Sequence, residues 1–242
     1  MARIDLQTPA METFDLVEEE VMGGPPSDGD QRDRRATVGR PVVEQIGPEL
    51  LRDDPELLAF LGRSGHDFYL TGFACSLGVG PRDELEEATV RIDLDGEQGE
   101  AVAWSLSPLR LVQRVSRDNV SLGGEITLGP MLKIHGDWAP VAEQEHCYVY
   151  ALGEGEPDPE WRYRRTANER LLGIHDMRMV VQAPRGECVD GIVQITARVR
   201  HRGALVQTVV PLPQDFAQFR LGAVTDSYRG PHDSNRHTGG KA

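Results

Sequence analysis

Apolar and polar residues exchange at every step in Ala88-Thr89-Val90-Arg91-Ile92-Asp93-Leu94, and again in Val193-Gln194-Ile195-Thr196-Ala197-Arg198-Val199-Arg200. A period of two sends successive side chains to opposite faces of a strand, so each segment has one face for a core and one for water. One-sided burial of this kind points to antiparallel sheet, because parallel strands are covered on both faces and read as unbroken apolar runs. The pattern constrains architecture and says little about chemistry.

Further strands are expected at 66–77, 101–106, 109–115, 120–128, 131–135, 146–152, 161–165, 174–183 and 204–210, with those above near 88–94 and 191–201. Asp95-Gly96 and His201-Arg202-Gly203 supply turns in which glycine accepts a positive φ. Close spacing of short strands reads as an all-β, antiparallel β-sandwich of about eight to ten strands. Val90, Ile92, Leu94, Trp104, Val149, Met177, Met179, Val181, Val193, Ile195 and Val199 are the expected inward residues.

A short helix should precede the sandwich. Asp54 can cap it, Pro55 suits its first position, and Gly62 ends it after Leu57, Leu58, Phe60 and Leu61. Residues 1–47 read as a flexible acidic arm, with one helix over Met11–Val21 that stops at Gly23-Gly24-Pro25-Pro26. The expected single domain is 48–224, and residues 225–242, without apolar pattern, read as a disordered tail.

The net charge of −13 is uneven: residues 1–160 carry −19 and residues 161–242 carry +6. The acidic part disfavours nucleic acid, whose phosphates it would repel. The basic part can meet the acidic part of its own chain, another copy, or an acidic protein. No run approaches the ~18 to 20 apolar residues of a spanning helix, and Met1-Ala2-Arg3-Ile4-Asp5-Leu6 lacks the apolar core of a signal peptide. A cytoplasmic, bacterial-type setting is therefore expected, with no membrane partner. Cys75, Cys147 and Cys188 are odd in number and far apart, which reads as reduced thiols.

Candidate chemistry is scattered. His66-Asp67, His135-Gly136-Asp137, His175-Asp176 and His232-Asp233 resemble the doublets of metal-dependent phosphohydrolases, and His146-Cys147 is a further adjacent pair. Adjacent residues in a strand diverge, so these do not preassemble a site. The acidic turn from Asp93 to Glu100 has oxygen ligands without the spacing of a calcium loop. Nucleophile elbows, zinc pairs and phosphate loops are absent, so no cofactor, metal or catalytic residue is assigned. Trp161-Arg162-Tyr163-Arg164-Arg165 is the most suggestive surface: Trp161, Tyr163 and Arg165 share one face, Arg162 and Arg164 the other.

The leading expectation is a non-catalytic interaction or assembly module of a multi-protein system. It would bind a protein partner or itself through Arg162, Arg164, Arg198 and Arg200. One alternative is a hydrolase whose site is assembled from dispersed His, Asp and Cys. Another is a membrane-active pore-former, because Val120–His135 alternates as an inserting hairpin would.

Overall fold

The computed structural model describes residues 10–18, 34–48, 50–51, 55–97, 99–114, 126–128, 132–134, 145–166, 171, 174–201 and 203–222. The chain is an all-β, antiparallel sandwich with a short helix. One sheet has six strands: β1 (Met11–Asp15), β3 (Arg35–Gly39), β5 (His66–Gly78), β13 (His175–Pro184) and β7 (Val102–Ser107) in that order, with β4 (Val42–Gln45) also on β5. The other has eight: β2 (Val17–Glu18), β15 (Ala204–Val209), β14 (Val189–His201), β6 (Asp83–Gly96), β12 (Glu160–Arg164), β11 (Glu145–Leu152) and β8 (Arg110–Arg114), with β16 (Gln218–Leu221) also on β14. A separate antiparallel pair joins β9 (Ile126–Leu128) to β10 (Leu132–Ile134).

The long ladder between β6 and β14 anchors the eight-stranded sheet. Val90, Ile92, Val193, Ile195, Ala197 and Val199 point inward and are buried, whereas Arg91, Gln194, Arg198 and Arg200 face out. A one-residue slip would send every one of these side chains to the wrong face, which pins the register. Against them, the six-stranded sheet places Tyr69, Phe73, Cys75, Met177, Met179 and Val181. Phe219 meets Phe73 edge-on across the core, with centroids 5.5 Å apart.

β5 departs from one-sided burial. Its inner residues enter the main core, and its outer residues Phe68 and Leu70 enter a second cluster with Ile46, Leu51, Leu57 and Val180. The helix α1 (Pro55–Arg63) supplies Leu57 to that cluster. Trp104 corrects the expected core. The register between β7 and β13 shifts between Val180 and Val181, so Ala103 and Leu106 point inward while Trp104 is turned to the outer cluster. There it is half-buried and edge-on to Phe68 at 5.8 Å. The bulge reverses the parity on which simple alternation relies. The other ten expected core residues are buried.

The N-terminal expectation also needs correction. Met11–Asp15 is a strand paired with Arg35–Gly39, with Thr13 hydrogen-bonded to Thr37 at 2.9 Å, and no helix forms there. Leu16, Ala36 and Val38 are buried in the main core. Long-range pairing, with a β-branched residue at Thr13 and apolar anchors behind it, overrides the weak helical stripe. The described parts of residues 1–47 thus belong to the sandwich, which raises the strand count above that expected. The tail 225–242 lies outside the described residues.

Candidate functional site

The outer face of the eight-stranded sheet gathers all four arginines expected to bind a partner. Arg162 and Arg164 stand on β12, Arg198 and Arg200 on β14, and β6 runs between them. Cross-strand neighbours form rows. One row is Arg164, Glu87, Arg198 and Gln207; the next is Tyr150, Arg162, Thr89 and Thr196; a third is Glu160, Arg91 and Gln194.

A β-bulge decides where the acids go. Arg198 faces Glu87 but Val199 faces Leu85, so Glu86 is an extra residue. Leu85 and Ala88 are both buried, and Glu86 and Glu87 turn outward together although they are adjacent. Glu87 lies 3.4 Å from Arg198 and 3.8 Å from Arg164. Glu86 accepts from Arg200 at 2.8 Å, and Arg165 bridges to Glu84 at 2.5 Å. Arg162 pairs with Glu160 and donates a hydrogen bond to the Tyr150 oxygen, the main reason its pKa is raised. The arginines are therefore matched by carboxylates of the same sheet rather than forming a bare basic patch. Arg165, expected to share a face with Trp161 and Tyr163, instead lies past the end of β12 beside Glu84 and Glu86.

Between the rows lies an open groove of about 280 Å³. Thr89 and Thr196 occupy its middle, with Glu87, Arg198 and Gln207 on one side and Arg91, Glu160 and Gln194 on the other. The sequence alone marked the arginines here and missed Glu86, Glu87, Thr89, Thr196 and Tyr150. Their only signal is register, which a single sequence does not carry across strands.

A second charged group is internal. Arg34, 1% exposed, donates to Asp83 at 2.6 Å and to Glu18 at 2.9 Å, and His201 bonds the other oxygen of Asp83. It ties the N-terminal strands to the ends of β6 and β14.

The His-Asp doublets do not converge where they are described. His66 and His175 sit at opposite ends of the ladder between β5 and β13, nine residues apart, or about 30 Å. His66 Nδ1 donates to the Ser64 carbonyl at 2.7 Å, and Asp67 accepts from the Gly186 amide at 2.8 Å. His175 packs on Tyr163 at 4.7 Å, and burial lowers its pKa. His135, Asp137, His232 and Asp233 lie outside the described residues, as do the side chains of His146 and Cys147. Asp93, in the acidic turn, accepts from Arg91 and Gln194. Among the described residues, no three His, Cys, Asp or Glu side chains group as metal ligands. No described helix is long and apolar enough to cross a membrane.

No protein-family model matches the chain, and no curated protein matches it. Among solved structures it is similar to the NetB toxin of Clostridium perfringens in its membrane-inserted form. That likeness has 9% identity and a TM-score of 0.35 over 88% of this chain and 97% of the toxin. A structure described only as a pore-forming protein is 8% identical, covering 87% of this chain and 90% of its own, with a TM-score of 0.29. The delta-toxin of Clostridium perfringens is 8% identical over 77% and 88%, at 0.24.

Proposed function

We propose that the protein is a non-catalytic interaction or assembly module that binds a protein partner, or another copy of itself, through the outer face of its eight-stranded sheet. The observation that carries this reading is the exposed lattice of arginines and carboxylates around β6. Its arginine side chains remain 60% exposed at Arg164, 49% at Arg198, 46% at Arg200 and 40% at Arg162. Exposed pairs of this kind contribute little to folding, so their groups can exchange partners at small cost. Such a face sets orientation and encounter rate more than raw affinity.

Sedimentation velocity from 0.05 to 1 M salt, alone and with candidate acidic partners, tests it: association should weaken as the Debye length shrinks from ~10 Å at 0.1 M to ~3 Å at 1 M. It should also fail in Arg198→Glu. A strict monomer that recruits none of the candidate partners at low salt would sink the reading.

A second reading is a pore-forming assembly. The observation favouring it is the β9–β10 pair, a two-stranded sheet separate from both large sheets, on a segment whose Ile126-Thr127-Leu128 and Leu132-Lys133-Ile134 alternate. Dye release from liposomes separates the two readings, since an interaction module releases none.

A further inference from the structure

We infer that the outer face of the eight-stranded sheet docks onto the same face of a second copy of this chain, about a two-fold axis lying across its strands. The inference deepens the proposed function and rests on this face being the binding surface.

The order of charges along the strands carries it. On β6 the outward residues run Glu87, Thr89, Arg91, and on β12 they run Glu160, Arg162, Arg164. The strands are antiparallel, so Arg164 lies beside Glu87 and Glu160 beside Arg91. Signs therefore alternate both across the strands and along them, on either side of a middle row that holds Thr89 and Thr196. A two-fold axis along that row lays each strand over its own copy with the direction reversed. Glu87 then meets the partner's Arg91, Arg164 meets the partner's Glu160, and Arg198 meets the partner's Gln194. Each contact occurs twice, as a self-complementary interface requires. Strands with one sign at both ends would repel their own copies in this geometry.

Relief agrees with the charges. The side chains of Arg91 and Arg164 are 47% and 60% exposed, those of Glu87 and Glu160 only 20% and 18%. The arginines stand clear of the sheet and the glutamates lie low, so each copy's arginine descends onto the other's glutamate. Their present pairs are exposed, and sharing a carboxylate with a second guanidinium costs little. Arg162 is the charged group on the axis and meets its own copy, each one carrying its Glu160 and the Tyr150 oxygen. The open groove along the middle row leaves room for both. Beyond the outer rows Asp93 comes over the partner's Glu84 and Glu86, among which Arg165 and Arg200 supply cations.

The chain's charge also favours this face. Two copies at −13 each repel, but these rows set Arg91, Arg162, Arg164 and Arg198 against Glu87 and Glu160, so here the copies meet without an acidic excess. From β11 to β15 the face spans roughly 24 Å across the strands and 24 Å along them. Docking buries roughly 1,100 Å² in total, at the low end for a specific interface, so the dimer is reversible and concentration-dependent. Facing sheets keep their strands within about 30° of each other, so the match is closest on β6, the middle of the three charged strands.

Sedimentation velocity on the full-length protein, from micromolar to millimolar concentration, tests the inference. The wild type should form a reversible dimer. Glu87→Arg brings like charges together twice across the axis, and so does Arg91→Glu, so each variant alone should dimerise at least about tenfold more weakly. Mixed in equal amounts, the two variants should dimerise with each other, because every contact then joins opposite charges. Should either fail to fold by circular dichroism, Glu160→Arg and Arg164→Glu repeat the test on β12. A monomeric wild type, a single variant that dimerises as the wild type does, or a mixture that stays monomeric overturns the inference. A monomer that recruits an acidic partner, and loses it in Arg198→Glu, removes the second copy and leaves the proposed function standing. A monomer that recruits none removes both.

Discussion

Arg34 Nε donates to Asp83 Oδ2 at 2.6 Å with both side chains almost wholly out of water, 2% and 4% exposed. Burial alone would raise the Asp83 carboxyl, but hydrogen bonds from Arg34 and His201 outweigh it and hold the carboxyl below its usual range. Burial likewise opposes the Arg34 charge, and the bonds to Asp83 and Glu18 overcome it. The pair connects the start of β3 to the start of β6, in different sheets, so it closes one end of the sandwich.

Breaking this pair leaves a buried charge without its partner. Asp83→Asn should cost about 3–5 kcal/mol, measured by urea unfolding at neutral pH. A loss below about 1 kcal/mol would mean that the group is solvated, as surface pairs are.

The same pair sets an acid limit. A carboxyl whose folded pKa is lowered stabilises the fold above its unfolded value, near about 4. That stabilisation is lost as pH falls through the folded pKa. Wild-type stability should therefore drop on acidification below about pH 4, and the drop should be shallower in Asp83→Asn. Parallel pH profiles for the two proteins would contradict the assignment.

Alternation on β14 gives a paired test. Ile195 is 1% exposed between the sheets and Thr196 is on the outer face. Ile195→Ala should cost about 2–5 kcal/mol, and Thr196→Ala within about 0.5 kcal/mol. Equal losses would reverse the register of the strand.

Two glycines should respond with opposite signs. A Cβ at Gly191 would meet the Phe219 ring at 2.0 Å, because the ring lies across this glycine from the paired strand. Gly191→Ala should destabilise by about 1–3 kcal/mol through overpacking. Gly62, near the end of α1, has nothing within 4 Å of the added carbon. Gly62→Ala should stabilise by about 0.5–1 kcal/mol by restricting the unfolded chain. Thermal melts of both variants check the signs.

Cys75 should be inert in the folded protein. It is fully enclosed, and burial, then the nearby Asp176, pushes its thiol up to about 12. In a variant keeping Cys75 as the sole cysteine, a thiol reagent at pH 8 should react only on unfolding. Rapid labelling without denaturant would show that the core opens there.

Much of the sandwich is legible in the sequence by itself. Where one face of a strand is buried and the other wet, as on β6 and β14, burial is written directly into residue order, and Val90, Ile92, Val193 and Ile195 could be read as core from it. Trp161 and Tyr163 against Arg162 and Arg164 obey the same rule, and Pro55 opens a helix through local backbone chemistry, whereas Gly62, expected to end it, lies inside it and Gly65, at φ +71°, follows its last residue Arg63. What tertiary structure alone decided depends on residues far apart in the chain. β5 is covered on both faces because Ile46, Leu51 and, from α1, Leu57 pack on its outer side, so its sequence does not mark a single core face. Bulges at Trp104 and at Glu86 reverse local parity, and only the partner strand shows where the extra residue falls. Met11–Asp15 becomes a strand because Arg35–Gly39 pairs with it, against its own weak helical stripe. The arginines of β12 and β14 meet the acids of β6 through cross-strand register, and Thr89 meets Thr196 in the same way. Residue order records which side chains share a strand face, but long-range pairing sets which strands are neighbours, and the candidate site is made wholly of such neighbours.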